Sequence, residues 1–173
     1  MQTLLRKSLI VSGLALGAAV IGRNAIAGPD DTLRWQSVIG IAQANNVVGS
    51  GTGAVTGGGI PWSALDGHVN VVLENGAINF DVRGLALAGG DSVGTPGTIV
   101  QVKGTLICDT DGSASGGNSV VVDTPLVELS DQGNAQFHGS VGALPAVCAS
   151  EPDIAFLIRV GSGRWIANGT VLR

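Results

Sequence analysis

Histidine, cysteine and carboxylate side chains do most metal and proton chemistry, and this 173-residue chain has two His, two Cys and thirteen Asp or Glu. A zinc or copper centre wants three or four nitrogen or sulfur ligands held together. His68 and His138 supply only two, far apart in the chain. Asp109-Thr110-Asp111-Gly112 places two carboxylates two residues apart before a glycine, which is how a calcium loop begins, because a hard cation gathers several oxygens around a tight turn. The later oxygens and closing Glu of an EF-hand are missing, so the expectation is a solvated turn. The weak metal candidates are thus Asp109, Asp111, His68 and His138, with calcium as the cofactor to test and no cofactor as the expectation. Ser140, His138 and Asp131 are the residue types of a hydrolytic triad, but no nucleophile elbow surrounds the serine. No catalytic residue is expected.

The stretch from Gly49 to Gly59 contains six glycines in eleven residues. A dinucleotide fingerprint requires G-x-G-x-x-G between strand and helix, and a P-loop requires a Lys after its last glycine. This stretch reads G-x-G-x-G with no Lys and no helix to follow. It is expected to be slack connecting chain, with Gly49, Gly51, Gly53, Gly57 and Trp62 as a candidate ligand loop and Trp62 as the anchor beyond it.

Residues 1–27 carry Arg6 and Lys7, then an apolar run of about 15 residues, then Ala25-Ile26-Ala27, which together make a signal peptide. That run falls short of the ~20 residues needed to span a bilayer. Cleavage after Ala27 leaves residues 28–173, with six of nine basic residues, all thirteen acidic ones and a formal charge of −7. So acidic a chain is not expected to bind nucleic acid or anionic membrane. The expected locations are the periplasm, the cell surface or the extracellular medium. There an even pair of cysteines, Cys108 and Cys148, is expected to form a disulfide.

What positions these residues is expected to be all-β, since Val, Ile and Thr abound while Lys and Glu are rare. His68–Glu74 and Ala77–Arg83 flank Asn75-Gly76, which predicts a type I′ hairpin with Val71 opposite Phe80 and Val69 opposite Val82. The other expected strands are Thr32–Ala42, Thr98–Cys108, Ser119–Leu129 with a bulge or edge at Pro125, Ala135–Val141, Ile154–Val160 and Arg164–Leu172. About eight strands in one domain of about 146 residues make a single antiparallel β-sandwich, Greek-key or jelly-roll-like.

Phe80-Asp-Val-Arg-Gly-Leu85 and Gly104-Thr-Leu-Ile-Cys108 resemble exported bacterial sandwich domains of the chordin-repeat type, and the architecture is similar to that of copper-zinc superoxide dismutase. Those domains carry more His in comparable loops, and no site is carried over from them. The expected function is a non-catalytic secreted or cell-envelope protein with a binding or structural role. Its expected partner is a surface protein, a glycan, or a second copy joined through strand edges. The alternative is a small secreted metal-binding protein or enzyme with a superoxide-dismutase-like sandwich.

Overall fold

The computed structural model describes residues 31–170. The signal peptide expected over residues 1–27 lies outside the described residues. Among the described residues the strands run in chain order: β1 (Thr32–Trp35), β2 (Ser37–Gly40), β3 (Val47–Val48), β4 (Val55–Thr56), β5 (Trp62–Ser63), β6 (Asp66–Val72), β7 (Ala77–Arg83) and β8 (Ala86–Leu87). Then come β9 (Gln101–Cys108), β10 (Val120–Asp123), β11 (Val127–Glu128), β12 (Ala135–Ser140), the short helix α1 (Val147–Ser150), β13 (Ala155–Val160) and β14 (Trp165–Thr170), with a one-turn 3-10 helix at Gly51–Gly53 between β3 and β4.

These strands form an all-β sandwich. One sheet runs β1-β6-β7-β12 and the other β10-β9-β13-β14-β2, with β11 also on β9 and every pair antiparallel. Alternation puts Val69, Val71, Ile78, Phe80 and Val82 on the inner face of the first sheet, all buried. They meet Leu106, Phe156 and Ile158 of the second. Gly104 sits where two rings converge; a Cβ there would lie 2.6 Å from Phe156 and 2.9 Å from Phe80.

The β6–β7 hairpin keeps the expected faces but not the expected register. Val72, not Glu74, stands opposite Ala77, and Val69 faces Phe80 rather than Val82. Gly76 is left-handed (φ 64°) but Asn75 is not; the Asn75 side chain instead accepts the Ala77 N–H at 2.9 Å, and Gly76 N–H reaches Val72 O at 2.9 Å. A type I′ turn needs both residues at positive φ. The Asx cap replaces it with a longer loop, and the two-residue slip leaves every side chain on its original face.

The expected single strand Thr32–Ala42 is two. β1 belongs to the first sheet and β2 to the second, with the chain crossing at Gln36. The crossing reverses the phase of burial, so Val38 is buried and Ile39 is 50% exposed. Ser119–Leu129 is likewise split at Thr124-Pro125-Leu126. Asp123 stands opposite Thr105 and Val127 opposite Val102, one more residue on the outer strand than on β9, which is the bulge that Pro125 signals.

Candidate functional site

The acidic loop begins where β9 ends. Cys108 is bonded to Cys148 of α1, and β9 pairs with β13, so the loop after Cys108 and the segment before Ala155 are held side by side. This brings in Asp153, a carboxylate that no local motif marks. Asp109 is left-handed (φ 56°) and 0% exposed, shielded by its own loop. Its carboxylate accepts the Ala114 N–H at 3.1 Å and the Ser113 hydroxyl at 3.4 Å. Asp111 accepts the Ser113 N–H at 2.8 Å, and Asp153 accepts the Thr110 hydroxyl at 2.9 Å and the Asp111 N–H at 3.0 Å. Oxygens of Asp109, Asp111 and Asp153 lie within 4.8 Å of one another.

Hydrogen bonds favour the charged form here. Burial is the largest influence on Asp109 and pushes its pKa up, but bonds from the Ser115 hydroxyl and from the Ala114 and Ser115 N–H groups together outweigh it and hold the group below the ordinary carboxylate range. For Asp153 the Asp111 N–H is the largest influence and lowers the pKa; burial opposes it and the Thr110 hydroxyl assists. The cluster therefore locks the loop with charge-assisted bonds, and the same oxygens are of the kind that a hard cation takes.

The histidines lie elsewhere. His68 on β6 stands opposite Asp81 and His138 on β12 opposite Asn79, so β7 runs between them. Two strand spacings and a two-residue offset along β7 separate them by about 12 Å, and the structure does not join either to Asp109 or Asp111. The triad residues do not assemble: the Ser140 hydroxyl donates to Asn75 O at 2.8 Å, while His138 Nδ1 is 3.3 Å from Asn79 Oδ1.

The glycine-rich stretch is not slack. Ser50 N–H donates to Ser119 Oγ (2.8 Å), Ser119 N–H to Ser50 O (3.0 Å) and Thr52 N–H to Asn118 Oδ1 (2.8 Å) at one end. At the other, Gly58 N–H donates to Trp165 O and the Trp165 indole to Asn46 O. Ser119 adjoins β10 and Trp165 begins β14, and β9 and β13 lie between those strands. The stretch must therefore cross the outer face of the second sheet, where Ile107 and Leu157 have no exposed surface. The glycines permit this close approach: a Cβ on Gly53 would lie 1.9 Å from Ser119 O, and one on Gly57 2.3 Å from Ile41. Gly49, with φ 87°, and Gly51, with φ 53°, make the turns. Trp62 is buried, as expected of an anchor. Beside it Ile60, Leu87, Ile99, Val160 and Ile166 line an apolar hollow of about 250 Å³.

A fourth carboxylate, Asp123, is engaged on the outer face of the second sheet. Asp123 pairs with Lys103 and with Arg159 at 3.1 Å, and accepts the Thr105 hydroxyl at 2.6 Å. Burial is the largest influence and raises its pKa, yet Lys103, Thr105 and Arg159 together bring it below the usual range. Asp109, Asp123 and Asp153 thus all titrate lower in the folded chain than in the unfolded one. Their stabilisation is complete above the unfolded value, about pH 4, and is lost as pH falls through the folded values. Calorimetry should show a level melting temperature between about pH 7 and 5 and a decline below about pH 4, with a shallower decline in Asp123→Asn. No family model matches this chain, and no curated protein or solved structure matches it either.

Proposed function

We propose that the protein is exported, loses residues 1–27, and serves in the periplasm, on the cell surface or outside the cell as a non-catalytic β-sandwich with a binding or structural role. One observation supports the non-catalytic part of this reading, and the sequence of residues 1–27 supports the export. Among the described residues the buried polar side chains Thr105, Asp109, Ser119 and Thr124 are all hydrogen-bonded within the fold, and no buried side-chain nitrogen or oxygen lacks a partner. Polar groups so committed hold loops and strands together. The partner is a surface protein, a glycan, or another copy of the chain through a strand edge. Fractionation of the source cells with N-terminal sequencing tests the placement. A chain beginning at Gly28 outside the cytoplasm is expected, and a cytoplasmic chain that retains Met1 overturns the reading.

Cation binding is the second reading, favoured by the convergence of Asp153 on Asp109 and Asp111. Three carboxylates without histidine suit calcium rather than copper or zinc. A melting temperature raised by calcium and restored by chelator would support it. Identical melting curves with calcium and with chelator would reject it.

A further inference from the structure

We infer that β12 is a self-association edge, across which a second copy of this chain adds its own β12 antiparallel and joins two four-stranded sheets into one. This rests on the non-catalytic reading above and names the surface through which the chain assembles. β12 is the last strand of its sheet. Val141 N–H donates to Gly76 O at 3.0 Å, which sets the alternation: Ala135, Phe137 and Gly139 turn their backbone groups toward β7, and Gln136, His138 and Ser140 turn theirs away. Among the described residues no turn or loop bonds to those outward N–H and C=O groups, and all three side chains are exposed.

Natural sheets protect such edges with proline, charge, bulges, brevity or a covering loop. Three other edges of the two large sheets, those of β1, β10 and β2, are shorter or engaged. β1 has four residues, one of them the exposed Arg34. β10 has its start bonded by Ser50, its end tied to Lys103 and Arg159 through Asp123, and Pro125 next along. β2 has four residues and ends under β5, where a Cβ on Gly40 would lie 2.0 Å from Trp62 O. β12 is six residues long, Ala-Gln-Phe-His-Gly-Ser, with no Asp, Glu, Lys, Arg or Pro.

The sequence of β12 also fits itself. Centring the pair on His138 uses every outward residue, with Gln136 opposite Ser140 of the second copy. Both are neutral, so two chains of formal charge −7 meet where neither strand carries a fixed charge. On the inner face that register brings the half-buried Phe137 of each copy to the seam, with each Gly139 covered by the ring of its own chain's Phe137.

Sedimentation velocity of oxidised residues 28–173, from low-micromolar to submillimolar concentration, tests this. A reversible dimer is expected. Gln136→Lys with Ser140→Lys puts like charges opposite each other twice and should weaken it about tenfold. Gln136→Lys with Ser140→Glu puts opposite charges there and should restore it, which also controls for loss of the Ser140 hydroxyl. A monomer throughout overturns the inference but leaves the proposed export and non-catalytic role standing. A dimer equally strong in the double-lysine variant also overturns it, whereas a chain found in the cytoplasm with Met1 strikes the functional reading and not the edge.

Discussion

Replacing Phe80 by alanine is expected to lower the free energy of unfolding by about 3–5 kcal/mol, the usual cost of emptying a buried aromatic site. Phe80 has no exposed surface, and its ring joins the two sheets. It stacks on Phe137 of its own sheet at 6.1 Å and tilts against Phe156 of the facing sheet at 5.9 Å, and Phe156 in turn meets Trp35 at 5.8 Å. Such pairs contribute about 0.5–1.5 kcal/mol beyond the area they bury. The site cannot collapse easily, because the position facing the rings is Gly104, which has no side chain to move into the gap. Urea unfolding followed by tryptophan fluorescence should show a lower midpoint with an unchanged slope. A loss below about 1 kcal/mol would mean that the two sheets are not joined through this ring.

Removing the disulfide with Cys108→Ala and Cys148→Ala is expected to cost about 4 kcal/mol, from the chain entropy of a cross-link spanning 40 residues. Both cysteines are buried, so the paired alanines also leave a small void. The bond ties α1 to the end of β9, and Asp153 follows α1 by a few residues. Its loss should therefore loosen the bonds from Thr110 and Asp111 to Asp153 before the sheets separate. Denaturant melts with and without reductant measure the global cost, and hydrogen exchange at Asp111 reads the local one. Thiol titration of the denatured, unreduced wild type should find no free thiol; two free thiols would remove the basis for both effects.

Much of the fold was legible in local patterns. Along β6 and β7 strict alternation identified the buried face, and the turn lay at Asn75-Gly76 as read. The register did not follow, because Asn75 could satisfy the Ala77 N–H with its side chain instead of entering the left-handed region. Pro125 marked the bulge because a residue without an N–H resists a regular ladder. Thr32–Ala42 was misread as one strand because both halves are β-prone and the change of sheet at Gln36 has no glycine or proline to announce it.

The candidate site was less legible. Asp109 and Asp111 stood out through their spacing, while Asp153 joins them only because β13 pairs with β9. The glycine-rich stretch showed its composition but not the surface it crosses, since Ser119 and Trp165 lie far along the chain. Composition, two-residue periodicity, turn chemistry and an even cysteine count are properties of neighbouring residues and bulk content. They were enough to establish an all-β chain, the inward side chains of β6 and β7, and its paired cysteines. Folding alone brought the third carboxylate to the loop, laid the glycines over the second sheet and set β12 at the end of its sheet, because each of these depends on which distant segments come to lie side by side.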